Sequence, residues 1–249
     1  MPTFSAVLES LFWGLVASSS LLIGGALAMR FRIGLFTLGL IMAFGAGVLI
    51  SAVAFELVEE AFETASGEGG VILGLFAGAA VFFAGDVLID RMGGSARKRA
   101  SGAQQEGSPL AIVLGIVLDG VPESLVLGLT VLQAGSVSAA MLVAVFLSNL
   151  PEAIAATTGL TAAGWARSRI VYLWILVMAV SGLAALAGYA ALDTASATTI
   201  AFVLAFAGGA ILTMLADTMM PEAFEHGGEL VGIFTTVGFA LAFSISVLE

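Results

Sequence analysis

Residues 109–133, PLAIVLGIVLDGVPESLVLGLTVLQ, form one long apolar run broken by two acids, Asp119 and Glu123, and by Pro122. About 20 apolar residues cross a ~30 Å hydrocarbon layer as a helix, so this run has the length of a membrane span. It lacks the polar and apolar alternation of a membrane barrel strand and is about twice too long for one. Runs of the same kind recur on both sides of it. They predict helices over residues 5–28, 36–58, 71–90, 109–133, 137–162, 170–191, 198–221 and 229–247, an all-α integral membrane protein of about eight transmembrane helices. The whole chain, 1–249, reads as a single transmembrane domain.

Composition points the same way. Of 249 residues 60% are hydrophobic and only 10% charged, with a mean hydropathy of +1.12, whereas a soluble domain carries roughly 25% charged residues. A net charge of −10 without a basic arm argues against a nucleic-acid partner and leaves the lipid bilayer as the surrounding medium. The absence of cysteine rules out a disulfide framework and a thiolate metal site. MPTFSAVLES has no Lys or Arg before its apolar run and no convincing cleavage site after it, so the first helix is expected to be retained.

The eight Lys and Arg fall into three alternate joints: Arg30 and Arg32; Arg91, Arg97, Lys98 and Arg99; Arg167 and Arg169. By the positive-inside rule these joints are cytoplasmic. Both termini are then outside, the number of crossings is even, and a bacterial or archaeal cytoplasmic membrane is the expected location. Residues 91–108, rich in Gly and Ser as well as basic, read as a flexible cytoplasmic loop between the third and fourth helices.

The chain also echoes itself. FGAGVLISAVAFELVEEAFE from Phe44 aligns without gaps on FAGGAILTMLADTMMPEAFE from Phe206, and LDGVPES from Leu118 resembles LSNLPEA from Leu147. In both pairs the two helices run in opposite directions, the arrangement of an inverted repeat in a transporter.

Asp119 and Glu123 fall near the middle of the fourth predicted helix, Asn149 and Glu152 near the middle of the fifth. An ionised side chain there costs roughly 2.5–3.5 kcal/mol on insertion scales. Every Lys and Arg lies in a joint and the only histidine is His226, so no base stands beside these acids. They must be protonated, hydrated in a cavity, or neutralised by a bound cation. Spacing favours the cation: Asp119 and Glu123 share a helix face, as do Ser148 and Glu152, so facing helices can converge several oxygens on one point. Pro122 and Pro151 free the carbonyls of Leu118 and Leu147 at the same depth, as further potential ligands. A protonated carboxyl pair joining helices, or a proton relay without metal, are the competing readings.

Asp119-Gly120-Val121-Pro122-Glu123-Ser124 and Ser148-Asn149-Leu150-Pro151-Glu152-Ala153, on consecutive helices flanked by acid-ended helices 2 and 7, resemble the signature of the ZIP (Zrt/Irt-like protein) family of divalent metal transporters. In that family helix 4 usually reads His-Asn-x-Pro-Glu-Gly and helix 5 carries a His-x-x-Pro-Glu segment. Here the prolines and glutamates match, Asp119 and Ser148 occupy the histidine positions, and Gly120 occupies the first asparagine position. The resemblance implies secondary transport of a divalent cation by alternating access, with the helix 4 and 5 bundle rocking or sliding against the rest. The metal ion is then the substrate and no organic cofactor is implied. Replacement of imidazole by oxygen shifts the expected preference from zinc toward harder ions such as Mn²⁺, Mg²⁺ or Ca²⁺, with Fe²⁺ and Zn²⁺ still able to bind.

The expected metal ligands are therefore Asp119, Glu123, Ser148, Asn149 and Glu152, with Glu60, Glu222 and the deeper Asp217 along the path. Glu56, Glu59 and Glu63 toward the external mouth, and Glu225, His226 and Glu229 toward the cytoplasmic one, read either as gathering and releasing cations electrostatically or as solvated helix ends. Asp86 and Asp90, closing the third helix on the cytoplasmic side, read as reaching interfacial water, with lining of an exit path as the alternative. Enzymatic readings fare badly, since HExxH is absent, FAGD from Phe83 misses the protease GxGD form, and SGEGG from Ser66 lacks the Lys-Ser/Thr ending of a phosphate loop. A transport-inactive metal sensor or scaffold is the remaining alternative, and a homodimer is compatible with the sequence.

Overall fold

A computed structural model describes residues 4–65, 70–94 and 108–248, and every regular element among them is helical. In chain order these are α1 (Phe4–Arg30), α2 (Leu35–Ala52), α3 (Gly70–Ile89), α4 (Pro109–Ala134), α5 (Ala139–Ala162), α6 (Arg167–Ala190), α7 (Ala197–Met214) and α8 (Val231–Leu248). Helix α2 runs on through a π-helical stretch, Val53–Glu59, into Glu60–Thr64, and α7 runs on through π-helical Leu215–Met219 into Met220–Gly227. The second predicted helix thus extends past its expected end at residue 58. Of the expected basic loop, residues 95–107 lie outside the described residues, as do residues 66–69 of the SGEGG segment.

Among the described residues, seven continuous helical stretches are long and apolar enough to cross a membrane. The last, Ala197–Leu248, has 52 residues, about 78 Å at ~1.5 Å per residue and more than twice a bilayer core. It does not run straight. At Gly228 the backbone adopts φ 56 and ψ −136, a conformation that suits a residue without Cβ, and the chain reverses there. Contacts with α2 fix the direction of each half. Gly208 of α7 packs on Val53, Leu57 and Val58, and Gly227 on Gly39, so α7 is antiparallel to α2. Along α8, Thr235 abuts Gly47 and Ser246 reaches Glu56, so α8 runs parallel to α2.

The helices form two groups. In one, α1 packs on α4, α5 and α6; in the other, α2 packs on α7 and α8, and α3 on α7. Small residues allow the close approach: a methyl at Gly47 would run into the Thr235 carbonyl, and one at Gly128 of α4 into the Ala185 carbonyl of α6. The groups meet along α2 and α5, where Gly45 faces Pro151 and Ser148. These two helices are the most enclosed, with 67% of the apolar window buried in each against 28% for α3. Large apolar side chains such as Leu73, Phe76, Tyr172, Leu183 and Ile233 are left exposed on the outer helices, as a lipid-facing surface requires.

Several serines are satisfied locally. Ser10, Ser18 and Ser20 are buried, and each hydroxyl donates to a carbonyl one turn earlier in α1. Ser108, Ser138 and Ser196 cap α4, α5 and α7, their hydroxyls accepting from the N–H of Ala111, Met141 and Thr199. Helix α4 ends at Gly135, φ 73, which turns the chain sharply into α5.

Candidate metal-binding site

Asp119, Glu123, Ser148, Asn149 and Glu152 are all buried, Asp119 at 2% exposure and Glu123 at 1%. Helix α4 stays helical across Pro122 and α5 across Pro151, so Asp119 remains one turn from Glu123 and Ser148 one turn from Glu152.

Asn149 and Glu152 line a small cavity together with Gly120, the residue after Asp119; Leu21 of α1, Ile116 of α4, Ala156 of α5, and Trp174 and Val177 of α6 complete the wall. Its volume is about 10 Å³, the room of a single water. All of these residues belong to the α1, α4, α5 and α6 group, so the cavity lies inside one helix group and not between the two.

Asp119, Glu123 and Ser148 are buried on the same two helices but are not part of that lining. The Ser148 hydroxyl donates to the Val145 carbonyl at 3.1 Å, which leaves its lone pairs available. One carboxylate oxygen, Oε1, of Glu123 and of Glu152 is buried and accepts no hydrogen bond, while both side chains make interactions of their own. Among the described residues, no three His, Asp or Glu side chains are gathered as one metal-holding cluster. The arrangement is a carboxylate and an amide at a cavity, with two further acids buried on the neighbouring helix. The Leu147 carbonyl freed by Pro151 lies beside Gly45 of α2, against the other helix group.

The remaining candidates are spread along the chain. Glu60 stands at a wide mouth of about 370 Å³ at the end of α2, where its Oε1 accepts from Gln133 Nε2 at 2.8 Å and from Thr64 Oγ1 at 3.3 Å. Glu222 is buried and its Oε1 lies 3.2 Å from His226 Nε2, one turn along α7. Asp217 is exposed, within the π-helical stretch. Asp86, expected to reach interfacial water, is instead buried on α3, while Asp90 is exposed.

Trp174 escaped the sequence reading, which places Glu56 at the external mouth without making it an expected ligand. Glu56 lines the mouth beside Glu60, its Oε2 accepting from Ser138 Oγ at 2.8 Å and its Oε1 from Ser246 Oγ at 2.7 Å. Its i, i+4 spacing to Glu60 was the available signal. Trp174 had none, because an aromatic residue in an apolar helix is ordinary. The two π-helical stretches begin at Val53 and Leu215, the same position in each copy of the repeated segment.

No protein-family profile matches this chain, and no characterised protein matches it.

Proposed function

We propose that the protein is a secondary transporter of divalent metal cations, of the kind the ZIP resemblance implies, with Asn149, Glu152, Asp119 and Glu123 supplying oxygen ligands and Ser148 in support. One observation carries the reading: three acids and an amide are buried near the middle of two apolar helices in a chain whose Lys and Arg lie in the joints or at helix ends. A divalent ion offsets the cost of that buried negative charge. The donors are oxygens, which suit Mn²⁺ and its harder neighbours, with Fe²⁺ and Zn²⁺ as further substrates.

In this proposal α7 and α8 are separate crossings, making eight in all with both termini outside a bacterial or archaeal cytoplasmic membrane. The segments beginning at Phe44 and Phe206 are halves of an inverted repeat; the antiparallel course of α2 and α7 and their matched π-helical starts support this. Location of the cavity within one helix group supports a movement in which that group carries the ion past the α2, α3, α7 and α8 group. The mouth gathers cations, and Glu222, His226 and Asp217 lie on the path to the other side.

Purified protein in liposomes tests this. Mn²⁺ or Zn²⁺ uptake is expected to be lost in Glu123→Ala and Glu152→Ala variants that remain monodisperse. Flux unchanged by both substitutions rules these residues out as the site. Ion binding without flux in the parent protein favours the sensor reading.

A further inference from the structure

We propose that Trp174 is a specificity-determining residue: its indole, fixed by Thr157, walls the cavity at Asn149 and Glu152 so closely that a cation enters only after shedding most of its water. The inference rests on the transport reading and adds to it a selection by hydration.

Trp174 is 1% exposed and lines the cavity on the side of α6. Its Nε1–H donates to Thr157 Oγ1 at 2.8 Å, a buried bond between α6 and α5. Inside an apolar bundle neither group has water as an alternative partner, so the bond holds the ring in one orientation. Gly25 of α1 completes the seat. A Cβ there would stand 2.8 Å from both Cδ1 and Nε1 of the indole and 3.4 Å from the Thr157 hydroxyl. Three helices thus press the largest fully buried side chain of the described residues against the site.

Room for about one water decides which ions fit. A hexahydrated ion is excluded, and an ion that enters must exchange water for the Glu152 carboxylate and the Asn149 amide oxygen. Mg²⁺ dehydrates reluctantly and Ca²⁺ wants six to eight oxygens, so both are penalised by a tight wall. Mn²⁺, Fe²⁺ and Zn²⁺ exchange water more readily than Mg²⁺ and need fewer oxygens than Ca²⁺. Oxygen donors alone do not make this distinction; the wall does.

The test compares Trp174→Leu, Trp174→Phe and Thr157→Val with the parent, each in liposomes, by the ratio of Mn²⁺ to Mg²⁺ uptake. Trp174→Leu is expected to lower that ratio about tenfold, mainly by admitting Mg²⁺, as expected for a pocket enlarged by several heavy atoms. Trp174→Phe and the nearly isosteric Thr157→Val, which leaves the indole unfixed, shift it the same way by a few-fold. A second readout needs no transport. In a Trp13→Phe, Trp165→Phe background Trp174 is the last of the three tryptophans, and saturable quenching of its fluorescence by Mn²⁺ is expected. A ratio unchanged in folded Trp174→Leu and Thr157→Val, or Mn²⁺ binding by calorimetry without quenching, overturns the inference and leaves the transport reading standing. A parent that binds no divalent ion overturns both.

Discussion

The cavity at Asn149 and Glu152 and the mouth at Glu56 and Glu60 present similar chemical groups in opposite settings. The first is about 10 Å³ and enclosed by four helices of one group. The second is about 370 Å³ and adjoins a further space of about 340 Å³ edged by Glu59 and Glu63. At the mouth, carboxylates of α2 accept hydrogen bonds from Gln133 of α4, Ser138 at the start of α5 and Ser246 of α8, so the contact joins the two helix groups. Water screens charge there and a cation stays hydrated. In the cavity little water competes, and each oxygen counts for more. Under the proposed function, attraction and recognition fall in different places in one molecule.

Removing one buried oxygen ligand should have the largest effect. Asn149→Leu is expected to weaken cation affinity by roughly 3 kcal/mol, about a hundredfold, measured by calorimetry on the purified protein. An affinity within twofold of the parent would erase the distinction between the two regions. A smaller, salt-dependent effect belongs to the mouth. Raising ionic strength from ~0.01 to ~0.15 M shortens the screening length from ~30 to ~8 Å and should slow parent uptake several-fold at low cation concentration. In the double variant Glu56→Gln, Glu60→Gln that dependence should flatten; a slope equal to the parent's would place the attraction elsewhere. The smallest change is expected from Gln133→Leu, which removes an exposed bond worth about 0.5–1 kcal/mol, a Tm shift of ~1–3 °C by thermal unfolding in detergent. A larger shift would mean that the mouth is a structural joint more than an entrance.

The helix order was legible because membrane spans are long apolar runs whose ends are marked by caps and basic residues. Ser108 and Ser138, for example, sit where α4 and α5 begin. Burial of Asp119, Glu123, Asn149 and Glu152 was legible for the same reason, since an acid in mid-span cannot face lipid cheaply. Which of them share a cavity was not legible. Spacing grouped Asp119 with Glu123, yet it is Gly120 that faces Asn149 and Glu152. The π-helical conformation of Val53–Glu59 was also hidden, because a π-helical stretch and an α-helix carry the same apolar pattern.

Chain composition and the positions of its few charges by themselves determined that this protein is helical, lies in a membrane, and carries acids in the middle of apolar helices. Tertiary structure alone decided that the cavity belongs to α1, α4, α5 and α6, that Trp174, bonded to Thr157, lines it, and that Glu56 joins α2 to α5 and α8. The reason is physical. In a membrane helix the face toward lipid is as apolar as the face toward its neighbours, so the sequence carries little information on rotation about the helix axis. That rotation is set by close packing between residues far apart in the chain, such as Gly25 against Trp174 and Gly47 against Thr235.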